Sequence, residues 1–236
     1  MHYTNTIICS NLDKNFNDIK EEFSMKIVLI GATGFVGSSI LTEALNRGHQ
    51  VTALCRHPEK LPQHDKLTVL KMNIFDQDKL SRIIINHDAV ISAFNAFKDT
   101  DAVKLQLEGA RSIINATKSA NIKRLLMVGG AGSLYVSPEQ QLVDTAQFPK
   151  EYKSMALSMR ETLAMLKTET NLDWTFLSPS ALLQPGERSG KFRLGKDQLL
   201  VNEKGESRIS IQDYAVAMID ELENPQHMQQ RFTVGY

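Results

Sequence analysis

Short apolar runs alternate with longer segments of helical spacing along most of the chain. Seven apolar runs predict strands near 26–30, 50–54, 67–71, 89–92, 124–128, 173–177 and 232–234. Apolar residues at intervals of three and four predict helices near 35–46, 78–85, 102–119, 153–168 and 211–223. This alternation is typical of an α/β fold. We therefore predict a doubly wound, Rossmann-type parallel sheet of about seven strands, with helices on both faces and a small C-terminal elaboration on the substrate side.

Three spaced glycines follow the first predicted strand and open the first predicted helix. A glycine at such a turn adopts backbone angles that other residues resist, and a glycine at the helix start lets a pyrophosphate approach the free amides. The third glycine allows helix and strand to pack closely. The pattern predicts a dinucleotide-binding loop made of Gly31, Ala32, Thr33, Gly34, Phe35, Val36 and Gly37.

The end of the second predicted strand bears on the choice of cofactor. A carboxylate there would bind the ribose hydroxyls of NAD, but the sequence has Arg56, with His57 and Lys60 nearby. A guanidinium suits a phosphate through charge-assisted hydrogen bonds. We therefore predict NADP as the cofactor in preference to NAD, and a solvated surface arginine is the alternative.

The glycine spacing is G-x-x-G-x-x-G rather than the tighter G-x-G-x-x-G. Together with the segments 90–93, 125–133, 174–180 and 209–215, this loop resembles the atypical and extended branches of the short-chain dehydrogenase/reductase superfamily, in particular the NmrA-like, NAD(P)H-binding group. The resemblance covers nearly everything from Met25 onward. It implies a single NAD(P)-binding Rossmann domain over residues 25–236.

The same resemblance implies that turns after the later strands line the cofactor. Asn73, which replaces the commoner Asp, would flank the adenine, and for Phe94 a core position and a stacking position against the cofactor are both open. Small residues after the fourth strand would let the middle of the cofactor lie against the backbone. The full set implied is Asn73, Ile74, Ser92, Ala93, Phe94, Gly129, Gly130, Ser178, Pro179 and Ser180.

Typical members of the superfamily use a Tyr-x-x-x-Lys pair, in which the lysine lowers the pKa of the tyrosine. Here the nearest candidate is Tyr152, and Ala156 stands four residues later, so the pair is absent in that register. Lys153 adjoins the tyrosine but points about 100° away on a helix. A surface role for Tyr152 is the alternative, and Ser133 is a second candidate that would orient the substrate.

Hydride transfer without this pair suits acceptors whose reduced forms are stabilised by delocalisation. We therefore expect an NADPH-dependent oxidoreductase acting on a small conjugated or aromatic acceptor such as a flavin or a quinone. The alternative is a non-catalytic, NAD(P)-sensing regulator of the NmrA-like kind. A third hypothesis is an enzyme similar to sugar-nucleotide epimerases and dehydratases, which use the tyrosine and a larger substrate region than this chain has after Leu177.

The composition argues against several kinds of partner and site but does not identify a function. The chain has 236 residues, 42% of them hydrophobic, and a formal net charge of zero, so nothing indicates a nucleic-acid partner. The cysteines Cys9 and Cys55 and the six scattered histidines lack metal-ligand spacing, and no apolar stretch is long enough to span a membrane. We expect a cytoplasmic protein with no metal site and a small-molecule substrate.

Three further features leave alternatives open. Residues 1–24 are interpreted as an N-terminal extension, either disordered or preceding a genuine start at Met25. The helix near 102–119 could face the sheet or pair two subunits, so a homodimer is an open alternative. After the sixth strand, residues 184–188 could cap the substrate pocket or form a plain turn, and residues 191–201 suggest a small hairpin.

Overall fold

The computed structural model describes residues 24–97 and 101–236. The proposed extension therefore lies almost entirely outside the described residues. The strands are β1 (Lys26–Ile30), β2 (Gln50–Cys55), β3 (Leu67–Lys71), β4 (Ala89–Ser92), β5 (Arg124–Val128), β6 (Tyr135–Ser137), β7 (Gln140–Gln141), β8 (Asp173–Ser178), β9 (Leu182–Gln184), β10 (Arg193–Gly195), β11 (Arg208–Ser210) and β12 (Gln230–Gly235). The α-helices are α1 (Phe35–Asn46), α2 (Gln77–Ile84), α3 (Ala102–Ser119), α4 (Lys150–Lys167) and α5 (Ile211–Glu223).

The central sheet has the strand order β10-β12-β8-β5-β4-β1-β2-β3. All neighbouring strands are parallel except the edge strand β10, which is antiparallel to β12. The chain builds outward from β1 to β3 and then crosses to β4 on the other side of β1. This reversal of direction produces a crevice between the carboxyl ends of β1 and β4, where ligands of open α/β sheets bind. The predicted fold class is confirmed, with eight strands in the sheet instead of about seven.

Two apolar cores cover the two faces of the sheet. Helices α1 and α5 bury one face, to which Ile40 and Tyr214 contribute. Helices α2, α3 and α4 bury the other, with Leu80, Ile113 and Leu163 among the contributors. Helix α3 faces this second core at Ala110 and Ile114, whereas Val103 near its start is exposed.

Local sequence signals fix the ends of two helices. Gly48 has a φ of 91° after α1, and its amide and that of His49 donate to the carbonyls of Leu45 and Ala44. This is the hydrogen-bond pattern of a glycine-terminated helix. At the start of α5, the Ser210 hydroxyl accepts the amide of Asp213 at 2.9 Å. Gly48 thus ends α1, and Ser210 caps the start of α5.

The predicted hairpin over residues 191–201 is wrong. Arg193–Gly195 instead forms β10, which pairs with the last strand of the main sheet, and residues 199–201 form no strand. Gln198 makes one isolated bridge with Tyr135. Alternating polarity is the same for a strand in a local hairpin and for one at the edge of a distant sheet, so the pattern alone could not identify the partner. None of the helices within the described ranges is both long and apolar enough to cross a membrane.

Candidate functional site: a dinucleotide crevice

The loop after β1 closes on itself through two glycines. Gly31 has a φ of 83°, and a Cβ added there would lie 2.6 Å from the carbonyl oxygen of Ala93. A Cβ on Gly37 would lie 2.1 Å from the carbonyl oxygen of Gly31. Both contacts are with backbone, which cannot turn aside as a flexible side chain can. Glycine at these positions therefore brings β1, α1 and the turn after β4 together.

The first turn of α1 is open to an anion. Gly34 is the residue at the helix start, no side chain caps the helix, and its first turn contains no acidic residue. The Gly34 amide donates to the Gly31 carbonyl at 2.9 Å. The amides that follow have no acceptor inside a helix, and the helix dipole makes this end positive. The space that side chains at Gly31 and Gly37 would fill lies beside this uncapped helix start. Together they fit the pyrophosphate of a dinucleotide.

The turn after β4 forms the opposite wall of the crevice. The amide of Ala93 donates to the Ile30 carbonyl at 2.9 Å, which fixes this turn beside the glycine loop. Ser92 is 1% exposed, and its hydroxyl accepts the Phe94 amide at 3.4 Å. The residues predicted from the first and fourth strands thus lie together at the point where the sheet order reverses.

Arg56 directly follows β2 at the same edge of the sheet. Its side chain is exposed, as are those of His57 and Lys60. The neighbouring β3 ends at Lys71, so the residues after both strands emerge side by side. This is the position at which a dinucleotide bound to the glycine loop would present its adenosine ribose.

Two aromatic rings, Phe75 and Phe94, follow the strands near Asn73, the residue predicted to flank the adenine. Asn73 is exposed and its Oδ1 accepts the amide of Phe75 at 3.2 Å, while Ile74 is buried. Phe75, 41% exposed, meets the half-buried Phe94 edge to face with ring centroids 6.3 Å apart. Phe94 packs on α3, where a Cβ on Gly109 would lie 2.3 Å from its ring. Phe94 therefore takes the core position, and Phe75 is the more exposed ring.

The ends of β5 and β8 form the other half of the crevice. The Gly129 amide donates to the Leu177 carbonyl at 2.8 Å, and a Cβ on Gly129 would lie 2.4 Å from the Phe176 ring. A Cβ on Gly130 would make an ordinary contact of 3.4 Å with Met159. Small residues at this turn leave the backbone accessible to a flat ring. The structure thus places the turns of β5 and β8 next to each other, as the resemblance implies.

The turn after β8 is buried rather than open. Ser178, Pro179 and Ser180 are all buried, and the Ser180 hydroxyl donates to the Val234 carbonyl at 2.9 Å. The Ser178 hydroxyl has no partner among the described residues. Tyr214 donates from below to the Leu177 carbonyl at 2.7 Å, and burial raises its pKa far above the ordinary value. The phenol of Tyr214 is therefore a structural donor and not a proton source.

Ser133 is turned into the protein. It is 3% exposed, and its Oγ accepts from Nη1 of Arg231 at 3.3 Å. Arg231 comes from β12 and also pairs with Asp197, to which its Nε donates at 2.8 Å. The serine thus serves an interior polar cluster that links the turn after β5 to the last strand, and its hydroxyl is largely withdrawn from solvent.

Tyr152 lies in the first turn of α4 and is 52% exposed. Its ring stacks on Phe97, with centroids 5.7 Å apart and planes 28° from parallel. One turn further along α4, Ala156 faces the turn after β5, because a Cβ on Gly132 would lie 2.8 Å from the Ala156 Cβ. The small residues Gly132 and Ala156 let α4 pack closely on this turn, and Ala156 holds the place at which the superfamily pattern has a lysine.

The segment after β9 is held against α1 and α5. Arg188 donates twice to the Glu43 carboxylate at 2.7 Å, and the Gly190 amide donates to Asp213 at 2.8 Å. Glu43 is 3% exposed, and its hydrogen bond with Arg188 is the main cause that lowers its pKa. This segment is an anchored loop on the helical face, and a cap over the pocket stays a prediction.

Sequence reasoning missed Phe75, Phe97 and Arg231. Phe97 follows the small residues after β4, and Phe75 follows Asn73, so a search for aromatic residues just after strand ends would have found both. Arg231 gave no such signal, because its partner Ser133 is 98 residues away in the chain. Within the described ranges, no group of three His, Cys, Asp or Glu side chains could hold a metal ion.

A model of the family described as NAD(P)H-binding matches residues 31–225. The chain belongs to this NAD(P)H-binding family. Among relatives of this NAD(P)H-binding protein is YwnB of Bacillus subtilis, named as uncharacterized, which is 44% identical over 89% of this chain and 98% of its own. The resemblance to the atypical short-chain dehydrogenase/reductase superfamily is thereby confirmed, and the NmrA-like subgroup stays a prediction.

Two solved structures resemble this NAD(P)H-binding chain across almost its whole described length. A "putative epimerase" from Bacteroides thetaiotaomicron is 46% identical with a TM-score of 0.85, over 90% of this chain and 97% of its own. A "putative NADH-flavin reductase" from Streptococcus pneumoniae is 35% identical with a TM-score of 0.77, over 90% and 99%. The oxidoreductase-like character of the NAD(P)H-binding family agrees with the crevice described above.

Proposed function

We propose that this protein is an NADPH-dependent oxidoreductase that passes a hydride to a small conjugated or aromatic acceptor such as a flavin or a quinone. One observation carries the proposal: the crevice is built for a dinucleotide, yet at its reacting end Ala156 packs on Gly132 one helical turn from Tyr152. A lysine able to lower the pKa of that tyrosine is therefore missing. Acceptors that need no such acid are the class that this site suits.

Bound NADPH would supply the hydride from its nicotinamide ring. The chain's own part is to bind and orient. The glycine loop and the α1 amides would hold the pyrophosphate, and the partly exposed turn at Gly129 and Gly130 would hold the nicotinamide end. With a flavin as acceptor, one NADPH, one proton from solvent and one oxidised flavin give NADP and the reduced flavin.

The descriptions of the two similar solved structures suggest different substrates. The flavin reductase description of the Streptococcus pneumoniae protein agrees with a flavin acceptor, and the epimerase description of the Bacteroides thetaiotaomicron protein favours a sugar nucleotide. We favour the flavin because the described chain shows exposed aromatic rings at this end of the crevice and no tyrosine–lysine pair in the expected register of α4. A cytoplasmic location and a homodimer stay predictions.

The test is to mix purified protein and NADPH with FMN, FAD, benzoquinones and biliverdin, and to follow the loss of nicotinamide absorbance. Oxidation of NADPH with at least one of these acceptors is expected. Tight NADPH binding without any oxidation would instead favour the sensor. A sugar nucleotide converted with no net oxidation of the cofactor would favour the epimerase.

The choice of NADPH is tested separately at Arg56, which is proposed to bind the 2′-phosphate. A charge-assisted hydrogen bond contributes about 1.5–3 kcal/mol, so Arg56→Glu should shift the ratio of NADPH to NADH affinity by roughly ten- to hundred-fold towards NADH. Arg82→Glu makes the same charge change at the exposed far end of α2 and is the matched control. An unchanged ratio in Arg56→Glu would refute the assignment.

A further inference from the structure

Two exposed aromatic rings from separate elements stack at the reacting end of the crevice. Phe97, 45% exposed, follows β4, and Tyr152, 52% exposed, lies in the first turn of α4. Their centroids lie 5.7 Å apart with planes 28° from parallel. We propose that this pair, here called the aromatic platform, stacks on the acceptor and selects planar, fused-ring acceptors, the isoalloxazine of a flavin in particular. The inference rests on the proposed oxidoreductase function.

The backbone holds Phe97 in this exposed position. The residue before it, Ala96, is fully buried, and its amide donates to Oε1 of the buried Gln106 on α3 at 3.1 Å. The Phe97 amide donates to Oδ1 of Asn95 at 2.7 Å. The chain is thus anchored immediately before the ring, so its exposure follows from a fixed turn.

Helix geometry directs Tyr152 towards the same place. Residues four apart on a helix share a face, so Tyr152 lies on the face of α4 that presents Ala156. Ala156 contacts Gly132 in the turn after β5. Gly129 and Gly130, the predicted neighbours of the nicotinamide, begin that same turn. The aromatic platform therefore borders the position at which an acceptor would meet the nicotinamide.

Single exposed apolar side chains are common on protein surfaces and need no explanation. Here two aromatic rings meet across two elements, and each keeps about half of its surface in contact with solvent. Offset stacking of aromatic rings is favourable beyond the area that it buries. A flat ligand can extend such a stack without opening the fold, which gives the platform a physical means of recognition.

The platform predicts discrimination by acceptor size. A flavin presents three fused rings and can cover both the platform and the nicotinamide, whereas 1,4-benzoquinone presents one ring. Loss of a stacking ring is expected to raise the KM for FMN about ten-fold and to change the KM for 1,4-benzoquinone much less. The ratio of kcat/KM for the two acceptors is therefore the informative quantity.

The test compares Phe97→Ala, Tyr152→Ala and Tyr152→Phe with Met228→Ala. This control removes an exposed side chain just before β12, at the amino ends of the parallel strands and away from the crevice. Both ring deletions should lower the FMN to benzoquinone ratio about ten-fold. Tyr152→Phe keeps the ring and should retain the wild-type ratio, and so should Met228→Ala. Equal losses for both acceptors, or a loss in Tyr152→Phe as large as in Tyr152→Ala, would overturn the platform.

A binding measurement separates this inference from the proposed function. Quenching of FMN fluorescence by NADP-loaded protein needs no turnover, and Phe97→Ala should weaken it about ten-fold while NADP affinity stays at the wild-type value. Wild-type protein that binds FMN through these rings without oxidising NADPH would overturn the function and leave the platform standing. Oxidation of NADPH by FMN that is insensitive to both ring deletions would overturn the platform alone.

Discussion

Gly37 lies where α1 crosses the loop that follows β1, and Gly37→Ala is the sharpest test of the dinucleotide cradle. The added Cβ would lie 2.1 Å from the carbonyl oxygen of Gly31. Non-bonded heavy atoms normally stay roughly 3.5–4.0 Å apart, so the helix start and the loop must separate by more than about 1 Å. That displacement would misplace the amides that are proposed to bind the pyrophosphate.

The size of the effect follows from the cost of overpacking, which is typically about 1–3 kcal/mol. If this free energy destabilises only the cofactor-bound state, the Kd for NADPH rises about 5- to 150-fold. If it falls on the fold, the Tm drops by about 2–4 °C for each kcal/mol in a chain of this size. We expect both effects, because the same contact joins α1 to the loop and shapes the anion site.

The assay is calorimetric titration with NADPH, accompanied by thermal unfolding of the same samples. Gly205→Ala is the matched control: Gly205 has a φ of 77° with nothing within 4 Å of an added Cβ, so the change strains a remote turn. This control should lower the Tm somewhat and leave the Kd unchanged. A wild-type Kd for NADPH in Gly37→Ala would show that the cofactor does not depend on this loop.

Two further substitutions test the surroundings of the site. Glu43→Gln should weaken the anchored loop through Arg188 and lower stability at neutral pH by about 1–2 kcal/mol, measured by denaturant unfolding. Arg188 lowers the pKa of Glu43 in the folded protein. The difference in free energy of unfolding between wild type and variant should therefore be full above about pH 4.5 and shrink as the pH falls through the lowered pKa. A difference that does not change with pH would contradict this. Ala156→Lys restores the superfamily spacing from Tyr152 at a partly exposed position, so we expect little change in Tm. We expect no gain in NADPH-dependent reduction of simple ketones, because the Tyr152 ring stacks on Phe97; a gain of activity would show that the lysine alone is missing.

The sheet could be predicted from the sequence because its parallel strands are buried on both faces and form continuous apolar runs. The predicted bounds of β1, β3, β4 and β5 match the structure, and so do those of α1. The short pairs formed by β6 with β7 and by β9 with β11 were not predicted. They have two or three residues each and exist through their partners, so no local periodicity marks them.

The candidate site likewise has a part that the local sequence predicts and a part that depends on distant residues. The glycine loop is encoded locally, since the contacts of Gly31 and Gly37 follow from three glycines at fixed spacing. The interior position of Ser133 is not, because Arg231 reaches it from the last strand. Exposure of Phe97 likewise depends on Ala96 being fixed by a helix that lies further along the chain. Candidate site residues whose orientation depends on distant elements are therefore those that a sequence pattern places least well.

The contact between Ala156 and Gly132 connects the packing of the fold with its chemistry. Ala156 packs on the turn after β5 at a partly exposed position, so α4 carries no lysine one turn from Tyr152 to act as the usual partner of such a tyrosine. Without that partner the Tyr152 ring is available for stacking and its hydroxyl is not required as an acid. Under the proposed function, an exposed aromatic surface beside a helix without the tyrosine–lysine pair suits an acceptor that is flat and takes its proton from solvent.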